Sequence, residues 1–435
     1  MKNTQTIYLK DPQIFIKKLL IWAKQFSYTS FFLSNKSTDN NPLDYYKYDL
    51  ISGIDASEKC ILNTDSFIKF REWQNRIQDW SFGYFSYDLK NEIYNLSSNK
   101  DFCSADKIHF FCPRYLFFLT EGELIFKSIL SKSKMKLILN DINNIKIESI
   151  CDTPLINLKA RESKEKYIRK INAIQEHIQK GYIYELNYCN EFFNDNISIS
   201  PEETFLKLNS QNKSPFSAFL RLNHQYIISA SPERFIKKNK QKILSQPIKG
   251  TIRRGVDLDE DLNLIKRLKT SQKDICENIM TADLVRNDLS ITAKKRSVKI
   301  EELCQVYTFE YVHQMITTIS SELNVNYDEI DVIETTFPMG SMTGVPKKKA
   351  MELIDNYEES ARGIFSGAIG YFTHEKDFDF SVVIRTILYN AKKRYLSISA
   401  GGAITTRSNP EEEYNECMLK IRSILNVLNA EVSER

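Results

Sequence analysis

No stretch of this sequence approaches the roughly 18 consecutive apolar residues that a membrane span requires. The opening Met-Lys-Asn-Thr-Gln-Thr-Ile-Tyr also lacks the apolar core of a secretory signal. There is no basic tract, because 60 Lys and Arg stand against 56 Asp and Glu, for a formal net charge of +4. Such an excess mildly favours small anions and argues against nucleic acid. The 8 cysteines, at 60, 103, 112, 151, 189, 276, 304 and 417, form no C-x-x-C pair, and the 5 His do not cluster with them. Zinc-ligand spacing is therefore missing, and thiols so scattered read as reduced and mostly buried. No internal repeat and no long low-complexity linker occurs. The expectation is a cytoplasmic protein that binds neither membrane nor nucleic acid.

What is present is ordinary for a globular chain: 435 residues, 42% hydrophobic and 27% charged, enough for a large core. The first 155 residues are rich in aromatic and β-branched residues, broken by Asn/Asp/Ser clusters such as Asn35–Asn41. Tyr115–Leu119 and Glu123–Ser128 predict strands, and Phe82–Asp88 alternates around a glycine as a closely approached strand does. Lys134–Ile150 predicts a surface helix and loop. A soft boundary near 155 follows.

Ser163 caps a predicted helix whose apolar face is Tyr167, Ile168, Ile171, Ile174 and Ile178, with Gly181 as its stop. Strands are expected over Tyr182–Phe192, Phe216–Leu222, Tyr226–Ser229, Phe378–Asn390 and Tyr395–Ser399. A helix is expected over 270–288, and a last one from Pro410 with Asn409 as cap.

The chemistry centres on Lys249, in Ser-Gln-Pro-Ile-Lys-Gly-Thr (245–251). On a tight turn, partly desolvated and near other cations, such an amine can lose its proton and act as a nucleophile. A solvated surface lysine is the plain alternative. Two helices carry acidic pairs at i, i+3, Asp274 with Glu277 and Glu413 with Glu416. Carboxylates of this kind suit a Mg²⁺ that also binds an anionic substrate; otherwise they form a solvated stripe. Arg385, inside an apolar strand, either receives a ligand carboxylate or makes a structural salt bridge. Gly401-Gly402 offers backbone N–H groups to an anion.

Several stretches resemble motifs of the chorismate-utilising enzymes. They are Ser-Pro-Glu-Arg-Phe (231–235), Pro-Ile-Lys-Gly-Thr (247–251) and Glu-Asn-Ile-Met-Thr-Ala-Asp-Leu-Val-Arg-Asn-Asp (277–288). Further on come Gly-Ser-Met-Thr-Gly-Val-Pro-Lys (340–347), Gly-Ala-Ile-Gly-Tyr (367–371), Ile-Arg-Thr (384–386), Ser-Ala-Gly-Gly (399–402) and Glu-Glu-Tyr-Asn-Glu (412–416). They keep the family's order across residues 160–428. The resemblance implies an α+β fold (an α/β sandwich): two packed, mainly antiparallel sheets with flanking helices, like anthranilate synthase component I. Residues 1–155 would contribute to the sheets, and 156–435 would form the chorismate-binding catalytic domain.

It further implies amination of chorismate at ring carbon 4, the branch towards 4-aminobenzoate, because anthranilate-forming members carry alanine where Lys249 stands. Isochorismate and salicylate synthases place a water-activating lysine at the position of Glu185, and an acid there disfavours those activities. Glutamine is frequent at that position in aminodeoxychorismate-forming members, so Glu185 is a departure that alters the charge near ring carbon 2. By the resemblance, Lys249 attacks carbon 2, Glu233 protonates the hydroxide departing from carbon 4 as general acid, and ammonia then attacks carbon 4 and releases the lysine from carbon 2. His313 has an acid–base or hydrogen-bonding role, or is a satisfied buried histidine.

Glu277 and Glu416 would hold Mg²⁺, supported by Asp274 and Glu413. Arg385, Lys420 and the backbone at Gly401, Gly402 and Ala403 would bind substrate carboxylates. Gly250, Thr251 and Thr343 would line the ring site, with Phe365 packing where relatives have Tyr or Trp. No Gly-x-Cys-x-Gly nucleophile turn is present, so ammonia would come from a separate glutamine amidotransferase subunit. No lyase segment follows residue 428, so another enzyme would release 4-aminobenzoate. Phe32-Leu33-Ser34 and Lys213-Ser214-Pro215-Phe216 match a tryptophan pocket of relatives, with a structural role as the alternative.

Overall fold

Period-two alternation divides the strand residues between two cores. Along Phe216–Leu222, Ala218, Leu220 and Leu222 join one core and Phe219 the other. Ile227 and Leu388 repeat the first choice; Ile228, Ile387 and Tyr389 repeat the second. A sheet buried on both faces follows from that pattern. The computed structural model describes residues 2–35, 48–98, 102–147 and 155–433. Residues 36–41 of the first Asn/Asp/Ser cluster, the end of the 134–150 segment and Cys151 lie outside the described residues.

The strands form one hydrogen-bonded network folded into two sheets. The first runs through Asn3–Tyr8, Glu123–Ser128, Ile108–Thr120, Leu50–Leu62, Tyr28–Leu33 and Phe216–Leu222. It continues through Gln225–Ser231, Thr386–Asn390, Tyr395–Ile404, Glu185–Asn194, Ile156–Ala160 and Ala430–Ser433. The second leaves Ile108–Thr120 at its first residues and passes through Ser81–Phe85, Ala368–Phe372, Phe378–Val382, Arg234–Asn239, Lys242–Gln246 and Val312–Glu322. Ile248–Arg253 and Lys299–Thr308 flank the last of these. Among the described strands the parallel pairing is Ile156–Ala160 with Ala430–Ser433; the others are antiparallel. The expected two-sheet α+β architecture is borne out.

The sheets face each other across a core that includes Tyr84, Phe110, Ala218, Leu220, Ile319 and Phe380. On the outer face of the first sheet, the helices Pro12–Ala23, Lys132–Asn144, Pro201–Asn212 and Pro410–Leu428 bury their apolar stripes. The helix Lys164–Gln179 begins as expected, with Ser163 accepting from the Lys166 amide, and ends before Gly181 at φ +77°. Asn409 accepts from the amides of Glu411 and Glu412, and Pro410 opens the final helix.

Four expectations need correction. Phe378–Asn390 is two strands, Phe378–Val382 in the second sheet and Thr386–Asn390 in the first. Arg385 stands at the crossover with a left-handed φ of 53°. The strand expected from Tyr182 begins at Glu185, because Tyr182 and Tyr184 are exposed. Gly401 and Gly402 lie inside the strand Tyr395–Ile404, not beyond its end. Phe82–Asp88 stops being a strand at Phe85, and Ser86 caps a 3-10 turn over Tyr87–Leu89.

Candidate active site

Lys249 sits in a β-bulge, not in a free turn. Ile248 pairs with Ile316 and Thr251 with Gln314, so Lys249 and Gly250 together oppose Met315. A bulge re-aims its side chains, and this one uses Gly250 at φ +88°. A Cβ there would stand 2.9 Å from the Asp274 Cβ. The helix Gln272–Thr292 thus packs directly on the bulge. Asn278 ties them together, donating Nδ2 to Lys249 O at 3.4 Å and Met315 O at 3.2 Å.

The Lys249 ammonium, 9% exposed, donates to Glu185 Oε1 at 3.0 Å. Glu185 is also buried, and its Oε2 has no hydrogen-bond donor among the described residues. The expectation that neighbouring cations set the state of this amine is therefore corrected: its ion-pair partner among the described residues is an acid, and Lys420 and Lys273 stand further off in the same cluster. Burial pulls the Lys249 pKa down, but Glu185, Glu277 and Glu233 outweigh it and hold the group above its ordinary value. Burial pushes Glu277 up to about 7 against the pull of Lys249, and its Oε1 is buried with no donor among the described residues. Burial likewise pushes Glu233 up to about 7 against Ser341 and Lys249. Glu233 closes the strand–strand link before Arg234, where its carbonyl accepts from the Val382 amide at 3.0 Å.

The final helix supplies another wall. A Cβ on Gly402 would lie 2.9 Å from Glu413 Oε2 and 3.8 Å from both Glu416 Oε1 and Lys420 Nζ. Lys420 donates to Gly401 O and pairs with Glu416 Oε1, each at 2.7 Å. Lys273, on the other acidic helix, reaches Glu413 Oε1 at 3.2 Å. Burial raises the Glu416 carboxyl, but Lys420, Lys273 and Lys249 overcome it and hold the carboxyl below its usual value. Arg385 donates to Lys420 O at 2.5 Å, and burial lowers its guanidinium to about 10. No carboxylate among the described residues lies in salt-bridge reach of it, which disposes of the structural-bridge alternative.

The acids of the two helices thus share one cluster with Lys249, Lys273 and Lys420. Among the described residues no three His, Cys, Asp or Glu converge as a ready-made metal cage. Glu413 and Glu416 are held by lysines instead. Other expected residues stand apart from these contacts. His313 Nε2 meets Asp261 Oδ1 and its Nδ1 meets Thr308 Oγ1, both at 2.9 Å, so both ring nitrogens are engaged. Arg254 and the Gly255 amide also grip Asp261, well below the usual carboxylate range. Thr343 is buried with its hydroxyl on Met339 O and Gly340 O. Phe365 belongs to the inter-sheet core, and Thr251 is exposed. Ala403 is buried in the strand opposite Asn187.

Sequence reasoning missed Asn278, inside the acidic helix motif, and Lys273, one turn before it on the same helix. It also missed Arg362, which is buried and donates to Met342 O at 2.6 Å, Asn187 O at 2.8 Å and both Glu358 oxygens. A separate cavity is lined by Phe32, Ser34, Pro215, Phe216, Tyr371 and Asp379. Lys213 instead pairs with Glu310 at 2.9 Å. No helix among the described residues is long and apolar enough to cross a membrane.

This chain is 40% identical over 266 residues to aminodeoxychorismate synthase component 1 of Escherichia coli (strain K12), covering 61% of this chain and 58% of that protein. It is 40% identical over 266 residues to a probable chloroplastic aminodeoxychorismate synthase of Oryza sativa subsp. japonica, covering 60% of this chain and 29% of that protein. The chain therefore spans well under two thirds of these relatives. Its fold is that of anthranilate synthase component I from Streptococcus pneumoniae TIGR4, with a TM-score of 0.76 at 20% identity over 89% of this chain and 95% of that one. The model of the chorismate binding enzymes matches residues 34–426, and with the acid-rimmed lysine in place the chain belongs to that family.

Proposed function

We propose that this chain aminates chorismate at ring carbon 4 to give 4-amino-4-deoxychorismate, with Lys249 as covalent nucleophile. The observation that carries the reading is a buried primary amine in a glycine bulge, facing Glu185 and electrostatically coupled to Glu233. The named relatives support it. Lys249 Nζ would bond to carbon 2 as the carbon 4–oxygen bond breaks. Glu233, raised by burial to about 7 and so still in part protonated at neutral pH, would turn the departing hydroxide into water. Ammonia would then bond at carbon 4 and release Lys249.

Arg385, without a carboxylate partner, and Lys420 supply positive charge for the substrate carboxylates, beside the backbone at Gly401, Gly402 and Ala403. Gly250, Thr251 and Thr343 border the ring. The orphaned Glu277 Oε1 and the neighbouring Glu416 fit a hard cation. Glu277 and Glu416 would hold Mg²⁺, with Asp274 and Glu413 beside them. When bound, the ion supplies Lewis-acid polarisation of a carboxylate. A cytoplasmic location and a separate glutaminase subunit as ammonia source complete the reading. The cavity by Ser34, whose Oγ is buried with no hydrogen-bond partner among the described residues, would take tryptophan.

The test is product identity. The chain is incubated with chorismate, Mg²⁺ and an ammonium salt, and products are separated by chromatography with mass detection. A pyruvyl-bearing amino product that a separate lyase converts to 4-aminobenzoate is expected. Fluorescent anthranilate with free pyruvate would overturn the reading.

A further inference from the structure

An ordinary lysine, at pKa 10.5, presents a free amine in only about one molecule in three thousand at pH 7. The acids around Lys249 lower that fraction further. A nucleophile drawing its free amine from solution would be starved, so its proton must go to a group inside the site. Among the hydrogen-bonding side chains of the described residues, Glu185 is the one that contacts Nζ, at 3.0 Å. Its other oxygen is buried with no donor among the described residues, which leave that carboxylate's charge on a single hydrogen bond.

We propose that Glu185 is the proton acceptor that converts Lys249 into its nucleophilic amine. The inference rests on the reading of Lys249 as the covalent nucleophile. The ion pair becomes a neutral amine–acid pair, a change favoured when substrate seals the pair from water, since two buried charges lose hydration. The steps balance: Nζ passes one proton to Glu185 and its lone pair forms the bond to carbon 2. The ring double bonds shift, the carbon 4–oxygen bond breaks, and hydroxide leaves as water with the Glu233 proton. The adduct nitrogen carries the positive charge.

The groups that face the pair are Glu277 from the acidic helix, Glu233 from the strand entry, Glu416 from the last helix and Cys189 on the Glu185 strand. None of them lies within ion-pair distance of Nζ. Transfer inside the pair does not consult the bulk pH. Loss of a proton to solvent does.

The experiment follows adduct formation by rapid quench and intact-protein mass spectrometry, with chorismate and Mg²⁺ but no ammonia, between pH 5 and 7, below the ionisation of the general acid Glu233. The wild-type rate is expected to change less than about threefold across that range. Glu185→Gln should instead rise about tenfold per pH unit across the same range. Glu185→Asp should restore the flat profile. Circular dichroism and chorismate binding check that each variant is folded. A wild-type rate that itself climbs tenfold per unit, or a Glu185→Gln profile as flat as wild type, overturns the role of Glu185 and leaves Lys249 as nucleophile. Absence of any adduct, with a Lys249→Ala variant that still forms product, overturns the nucleophile reading and this inference together.

Discussion

The Glu413 carboxylate lies 2.9 Å from the place a side chain on Gly402 would begin. The obstacle is the far end of a flexible acid, so Gly402→Ala should displace Glu413 from Lys273 at little cost to the fold. The expected result is a rise of about tenfold in the Mg²⁺ concentration for half-maximal turnover. Thermal denaturation should move by less than about 3 °C.

Lys249 and Glu185 are both buried, so removing one leaves the other's charge unpaired. Lys249→Met should cost about 3 kcal/mol in urea denaturation. Adding Glu185→Gln to the same chain should recover most of it. Simple additivity of two losses would mean the pair is not coupled.

Glu233 makes stability depend on pH. Its pKa rises from an ordinary 4.5 to about 7 on folding, so between those values the native state holds more protons than the unfolded chain. Stability must therefore fall as pH rises through the window, by an order of 3 kcal/mol from this group. Glu233→Gln should remove that decline, seen as a smaller difference between melts at pH 5 and pH 8. In turnover, the wild type should lose rate above pH 7 as the general acid ionises.

Arg362 joins the 340–343 turn to the strand that carries Glu185, through Met342 O and Asn187 O. Lysine cannot reproduce the fork. Arg362→Lys should lower stability by about 2–4 kcal/mol. It should also reduce kcat more than it raises the KM for chorismate, since the binding cations remain in place.

Local signals in the sequence were reliable where local physics decides. Ser163, Gly181, Asn409 and Pro410 mark their helix ends because capping needs neighbours only a few residues away. The acidic pairs and the lysine motif pointed to one cluster, and Lys249, Glu277, Glu413 and Glu416 do meet in it. Phe378–Asn390 misled because both halves have strand composition, and nothing local marks Arg385 as the point where the chain changes sheets. Glu185 is 64 positions from Lys249 in sequence, so no local pattern shows that the amine's partner is an acid. Only the pairing of Ile248–Arg253 with Val312–Glu322 reveals the bulge, and only the fold brings Asp261 to His313.

The two sheets share Ile108–Thr120, and Ser81–Phe85 gains its second neighbour only from Ala368–Phe372. On the ribosome, that early strand must wait for nearly 300 further residues before its open edge is covered. At about 5–20 residues per second the delay is some 15–60 seconds. An apolar edge exposed for so long is a template for pairing with other chains. Newly made copies should therefore be held by chaperones that mature copies no longer need, and the demand should end as residues 368–372 clear the exit tunnel.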